Sequence, residues 1–363
     1  MNTQTLATAE QRAAARQLVE LIGGNWATQA IGVAARLGLA DHVASGVTQV
    51  DALARACACD ASALHRLLRG LAALGVLRLD DDDDGGRCSL TPTGELLRRD
   101  AVLGLNAHAQ WWSQQAWAVW SDLMGSVRTG QSTRQRERGQ KGFDHLDADA
   151  ESAHLFHRSM VELTRLVAVD LARSPALPDA GVVIDLGGGH GELLAEVLRA
   201  RPGLRGVLFD LDHAVDGAQA HLREAGVAER VTVTSGDFFA ALPRPVDVVL
   251  LKSVLHDWND GDAVRILQRA RDALAPDGRV LVIERLMPDR VEDLPAHRTT
   301  TRSDLNMLVG LGGRERTAED YDALLSSAGL SRRRTLAAAA AFSVIEAVAQ
   351  APARRQGPPC IKV

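Results

Sequence analysis

From residue 182 onward, short β-branched runs alternate with helix-length stretches, and no other feature of this chain narrows its fold as much. The runs lie at 182–186, 206–210, 230–234, 246–251 and 280–284. Helical patterns of roughly 10–15 residues separate them, which is the signature of βαβ units. A parallel sheet covered by helices on both faces follows. Two last runs, 329–335 and 342–349, are close enough in the chain to pair as a hairpin. The expected fold class is α/β, with a doubly wound, Rossmann-like C-terminal sheet.

The chain before residue 182 reads differently. Residues 11–40 look helical and rich in small residues, and 49–58 looks like a further short helix. Asp60 can cap a helix whose Leu64, Leu67, Leu68, Leu71 and Leu74 form an apolar stripe. Two strand candidates, 76–79 and 87–90, flank the acidic, glycine-ended turn 80–86. Helix, turn, helix and hairpin together suggest a winged helix. Residues 101–175 read as mostly helical, with the polar, glycine-punctuated stretch 129–142 as a surface loop. "SPALPDAG" (174–181) marks a domain boundary, and the proline-containing tail 351–363 is expected to be disordered.

Composition excludes several classes. At 46% hydrophobic and 24% charged, the 363-residue chain has an ordinary globular balance. No apolar run reaches the ~18 residues of a membrane span, and the first residues do not resemble a secretion signal. The cysteines, Cys57, Cys59, Cys88 and Cys360, show no zinc-type pairing and suit a reducing cytoplasm. No metal site is expected. His154 and His157 lack a third ligand and read as structural.

The junction of the first strand and its helix reads "VVIDLGGGHGELL" (182–194). In a doubly wound sheet, ligands sit beyond the carboxyl ends of the strands, and glycines there admit a close backbone approach. The third glycine of a dinucleotide fingerprint is replaced by Glu192, and Asp185 adds an acid inside the loop. Both argue against a pyrophosphate and for a cationic amino-acid moiety. Asp210 ends the next strand, where an acid can accept ribose hydroxyls. "GDFF" (236–239) offers Asp237 to an adenine amino group and Phe238 to its face. A cation-friendly loop, a ribose acid and an adenine slot describe S-adenosylmethionine. Plainer readings stand beside this one: a ligand-free glycine turn, Asp210 as a helix cap, and Phe238 and Phe239 as core.

With these pieces in place, the sequence resembles the S-adenosylmethionine-dependent O-methyltransferases that act on small aromatic molecules, shared by plant phenylpropanoid enzymes and bacterial antibiotic-pathway enzymes. The motifs are "DLGGGHGELL", "FDL" at 209–211, "GDFF", "LLKSVLHDWND" at 250–260, "VIERL" at 282–286 and "GGRERT" at 312–317, and the likeness runs over roughly 15–349. The resemblance implies a winged-helix dimerisation domain over 1–100, a helical linker and substrate-lid region over 101–178, a cofactor-binding catalytic domain over 179–350, and a homodimer. It implies cofactor contacts from Asp185, Gly187, Gly189, Asp210, Leu211, Asp237, Phe238 and Lys252. It implies His256 as catalytic base, with Glu284 and Glu315 as the acids that hold it. Substrate-pocket residues implied in the same way are Phe143, Phe156, Met160, Asp257, Asn306 and Met307. The sequence departs from the pattern at Ser253, where the family usually has an aromatic residue. The stretch 111–120, with four of the six tryptophans, is a second departure.

The chemistry fits those residues. Methyl transfer from a sulfonium needs an electron-rich oxygen in line, and a phenol's pKa of about 10 makes the neutral hydroxyl a poor nucleophile. A histidine within hydrogen-bond reach can take the proton, provided its other nitrogen donates to a fixed acceptor. Neutral imidazole is expected to dominate at cellular pH. The substrate is expected to be a flat polycyclic aromatic metabolite, such as a phenazine, quinone or polyketide. The rival reading is a winged-helix transcription regulator with S-adenosylmethionine as effector. Residues 1–100 hold 10 basic against 12 acidic side chains, and a DNA-binding module needs a basic face. No nucleic-acid or membrane partner is therefore expected. Drift to a non-methylating reaction on the same scaffold is a third reading, opposed by the joint presence of His256, Glu284 and Glu315.

Overall fold

The computed structural model describes residues 8–80, 86–139, 143–147 and 149–350. Most of the acidic turn at 80–86 and the whole tail 351–363 lie outside the described residues. Two compact units emerge, Met1–Ser121 with His154–Leu163, and Asp122–Ala153 with Thr164–Val363.

The first unit is mainly helical. Helices Ala9–Gly23, Asn25–Leu37, Leu39–Ala44, Val50–Ala56 and Ala61–Ala73 precede an antiparallel hairpin, β1 (Leu77–Asp80) with β2 (Arg87–Leu90). Asp60 caps the fifth helix by accepting from the Ala63 N–H, as its position predicts. The apolar stripe then points inward: Leu64, Leu68 and Leu71 are buried with Leu53, Val76 and Cys88. The tryptophan-rich stretch is not one regular helix. A π turn, Trp112–Ala116, interrupts helices Asn106–Trp111 and Trp117–Trp120. Gly32 lies so close that a Cβ would collide with the Ser113 hydroxyl, and Gln29 Nε2 donates to the Ser113 carbonyl at 3.1 Å. The π turn is thus held by backbone-close packing against helix Asn25–Leu37.

The second unit contains a seven-stranded sheet, β3 (Ala180–Leu186), β4 (Gly203–Asp210), β5 (Val231–Ser235), β6 (Val246–Lys252), β7 (Leu274–Arg285), β8 (Leu330–Ala337) and β9 (Phe342–Ala349). Its order is β5-β4-β3-β6-β7-β9-β8. All pairs are parallel except those of β9, which runs antiparallel to β7 and β8. Each predicted run becomes a strand, and 329–335 with 342–349 forms the expected hairpin. Central strands are buried on both faces, so they read as unbroken apolar runs. One core layer gathers Val183, Leu194, Leu208, Leu250 and Ile283, and the other gathers Ile184, Val249, Leu267, Val282 and Ile345. Parallel register brings the carboxyl ends of β3, β4, β6 and β7 to one edge.

The expected surface loop at 129–142 needs correction. It contains a helix, Thr133–Arg138, capped by Ser132 through the Gln135 N–H. Ser132 and Thr133 are buried, and Arg136 Nη1 reaches Asp122 Oδ2 at 2.6 Å. Side-chain capping and a partly exposed ion pair offset a composition that by itself reads as a loop.

Candidate active site

Two clusters stand on the carboxyl edge of the sheet. The first surrounds the glycine loop. Gly187, Gly189 and Gly191 all have left-handed backbones, at φ 70°, 55° and 83°, a region glycine occupies without steric penalty. Gly187 also faces Val254 so closely that a Cβ would stand 2.9 Å from its Cγ2. Asp210 fastens the loop: its Oδ2 accepts from Gly189 N at 2.8 Å, and its Oδ1 from Leu211 N at 2.8 Å. Asp185, the penultimate residue of β3, has a buried Oδ2 with no hydrogen-bond partner. Burial pushes its pKa up to about 7, with Asp210 adding to the rise and Lys252 opposing it. Lys252 is pushed down to about 8, by burial first and then by Arg285. Asp237 closes its own turn by accepting from Phe239 N at 2.8 Å. Phe238 packs edge-on against Phe239 and Trp258, at ring separations of 5.3 and 5.8 Å.

The second cluster is built on His256, in the short 3-10 turn Leu255–Asp257 that follows β6. Its Nδ1 lies 2.9 Å from Glu315 Oε1 and 3.4 Å from Glu284 Oε2. Its Nε2 lies 3.4 Å from Asp257 Oδ1. The two glutamates have different tasks. Glu315 Oε1 also accepts from the Ser303 hydroxyl at 2.6 Å, so it is an acceptor fixed from two sides. Glu284 Oε1 instead accepts from the backbone N–H groups of Val254 and Leu255 at 3.0 Å, and of His256 at 3.4 Å. One acid orients the ring, and the other holds the loop that carries it. This arrangement divides the pair of acids expected to hold the base.

Charge in this cluster bears on the expectation of a neutral imidazole. Burial presses the His256 pKa down, but Glu284, Asp257 and Glu315 together outweigh it and push it up to about 10. Burial pushes Asp257 up to about 7, opposed by His256. The surrounding carboxylates therefore favour the protonated ring more than water does. A sequence motif cannot show this, because the cause is the removal of three acids from water beside one base.

The remaining predicted residues divide between the units. Phe156 and Met160 belong to the N-terminal unit, four residues apart on helix Ala150–Ala172 and so on one face. Phe156 meets Trp111 edge-on at 5.0 Å. Asn306 and the buried Met307 lie on helix Pro295–Gly310 of the C-terminal unit, and Phe143 is half-buried before helix Asp144–Asp147. His256, Asp257, Glu284 and Glu315 are the residues brought into contact. Ser303 is a participant that no sequence motif singles out.

This geometry has counterparts among known proteins. An O-methyltransferase domain model matches residues 120–331, and an O-methyltransferase dimerisation domain model matches residues 19–100. The chain belongs to the O-methyltransferase family. It is an S-adenosylmethionine-dependent O-methyltransferase, in agreement with the site read from the glycine loop. The enzyme is 34% identical to the phenazine O-methyltransferase PhzM of Lysobacter antibioticus, over 91% of this chain and 95% of that protein. Its fold matches NcsB1, an O-methyltransferase from neocarzinostatin biosynthesis crystallised with S-adenosylmethionine and 2-hydroxy-5-methyl naphthoic acid. The TM-score is 0.74 at 32% identity, covering 89% of this chain and 96% of that one. It is also 36% identical to the aclacinomycin 10-hydroxylase RdmB of Streptomyces purpurascens, over 86% of this chain and 84% of that protein. No helix among the described residues is long and apolar enough to cross a membrane.

Proposed function

We propose that this enzyme methylates a phenolic hydroxyl of a flat, polycyclic aromatic secondary metabolite, with His256 as general base. The observation that carries the reading is the 2.9 Å contact between His256 Nδ1 and Glu315 Oε1. It commits Nδ1 to donating and leaves Nε2 to take the substrate's proton. The aromatic class draws on the relatives named for phenazine and naphthoate chemistry.

The glycine-loop residues fit the methyl donor. Asp185 offers an unpartnered buried oxygen to its ammonium group. Asp210 and Leu211 would hold its ribose and Asp237 and Phe238 its adenine, with Lys252 as a further cofactor contact. When bound, the donor supplies a sulfonium methyl. Phe143, Asn306 and Met307 would wall the aromatic ring, with Asp257 beside Nε2. His256 then removes the hydroxyl proton as the oxygen becomes nucleophilic, and Glu315 stabilises the resulting imidazolium. The enzyme works as a homodimer, and its free thiols Cys57, Cys59 and Cys88 suit the cytoplasm.

A transfer assay with labelled donor against a panel of hydroxylated aromatics tests the reading, with product mass as the readout. A product heavier by a methylene supports it, and one heavier by an oxygen atom would instead align the enzyme with the hydroxylase relative. His256→Ala is expected to keep its affinity for S-adenosylhomocysteine and to lose at least ~10²-fold in kcat. Wild-type turnover in that variant removes the base role.

A further inference from the structure

The loop that presents His256 is irregular from its first residue. Ser253 has a left-handed backbone, φ 55°, which a non-glycine residue holds only when its surroundings enforce it. The enforcement comes from two sides. Glu284 collects the N–H groups of residues 254–256, and the carbonyl groups are collected by the segment 313–316. Arg316 Nη1 donates to Leu255 O at 2.7 Å, and Nη2 donates to Trp258 O at 2.7 Å. Arg314 N donates to His256 O at 2.9 Å. Gly313 lies flat on the same peptide, where a Cβ would collide with His256 O. The Arg316 side chain is fully buried, and its Nε and Nη2 are fixed from behind by Asp260 Oδ1 at 3.0 and 2.8 Å.

We propose that Arg316 is a positioning residue for the general base, its guanidinium gripping the carbonyls on either side of His256 so that the ring meets Glu315. The grip uses the fork geometry that distinguishes arginine, since a lysine ammonium cannot hold two carbonyls and a carboxylate at fixed angles. Glu315 and Arg316 are consecutive, so one short segment supplies both the acceptor for the ring and the clamp on its loop. The segment is itself tied to the end of β7: Met287 N donates to Arg316 O at 2.9 Å, three residues beyond Glu284. A shift of this segment therefore moves both the ring's acceptor and the loop's restraint. Displacements of about 1 Å at a reacting group can cost ~10²-fold in rate. The proposal rests on His256 being the base.

The test compares Arg316→Lys, Arg316→Met and His256→Ala in the full chain. S-adenosylhomocysteine affinity is measured by calorimetry, kcat and KM across pH, and loop protection by hydrogen exchange at residues 253–258. Arg316→Met is expected to bind the product normally, to keep KM for the aromatic substrate, and to lose about 10²-fold in kcat. Its loop amides exchange faster. His256 is faced by Asp257 from its own loop, Glu284 from β7 and Glu315 from the clamp segment. Withdrawal from Glu315 therefore moves the acidic limb of the kcat profile to lower pH. Arg316→Lys, which keeps the charge and the Asp260 contact, is expected to fall between Arg316→Met and wild type. Wild-type kcat in a folded Arg316→Lys protein overturns the proposal, and this milder variant decides if Arg316→Met does not fold. So does a loss of kcat that comes with equally weakened product binding and an unmoved pH limb, since that pattern belongs to general destabilisation. Activity in His256→Ala would instead remove the base reading beneath it.

Discussion

At the residue scale, the centre of this enzyme is one imidazole shared among three carboxylates. As the proposed general base His256 acts without its proton, and the neighbouring carboxylates push its pKa up to about 10, so kcat/KM is expected to climb with pH through the neutral range. Glu315→Gln keeps an acceptor for Nδ1 but removes one of the charges that raise that pKa. The His256 pKa then falls, and the acidic limb of the profile moves to lower pH. The maximal rate falls too, because a weaker base is paired with an oxygen of unchanged acidity. A pH–rate profile of the two proteins checks this, and a limb that stays in place would mean another group sets it. His256, Glu284 and Glu315 were legible as a set from their motifs. How the acids share the work was not, because it depends on which oxygen faces a ring nitrogen and which faces three amides. The clamp side chain Arg316 sat in view within "GGRERT". Only the fold shows that its guanidinium turns back to the carbonyls of Leu255 and Trp258.

At the scale of elements, the strand runs were readable because burial on both faces of a parallel sheet demands continuous apolar sequence. The sheet order was not readable, since 182–186 and 246–251 are adjacent only through a crossover that no local pattern records. The π turn at Trp112–Ala116 was hidden for a similar reason. Its stabilisation comes from Gly32 and Gln29, some eighty residues away. β3 gives a prediction of its own. It delivers Asp185 to the loop as a buried carboxylate with one orphan oxygen, which costs stability and favours a cationic ligand. Its folded pKa, about 7, lies above the ordinary carboxylate value. The penalty is therefore absent in strong acid, grows as pH rises toward 7, and is complete above it. Asp185→Asn is expected to stabilise the ligand-free protein at pH 8 by about 1–3 kcal/mol, the usual cost of an unpaired buried polar group. The gain should vanish near pH 4, and donor affinity should fall. Thermal melts at both pH values with a calorimetric titration check this. A variant less stable at pH 8 would show that the carboxylate is satisfied as it stands.

At the scale of the whole molecule, the N-terminal helix sets a problem that one chain does not solve. Helix Ala9–Gly23 begins with a complete capping box at Thr8 and Gln11, yet none of its residues is buried. Leu18, Val19, Leu21 and Ile22 are 57–71% exposed, and Trp26 and Val33 continue the apolar surface into the next helix. A 15-residue helix is marginal in water without a packing partner. A contiguous apolar patch of this kind marks an association surface. The match of residues 19–100 to a dimerisation domain fits a second copy of the chain as the partner. Leu18 and Ile22 are four residues apart and share a face. Converting both to glutamate places like charges within the apolar patch, where desolvation opposes association. The double variant is expected to run as a monomer by size exclusion with light scattering at micromolar concentration, against a wild-type dimer. The glycine loop, Asp185 and Asp210 all belong to the C-terminal unit, so product binding should survive the substitution. A wild-type monomer, or a double variant that still dimerises, would place the association surface elsewhere. Loss of product binding together with the dimer would show that the cofactor site depends on the partner subunit.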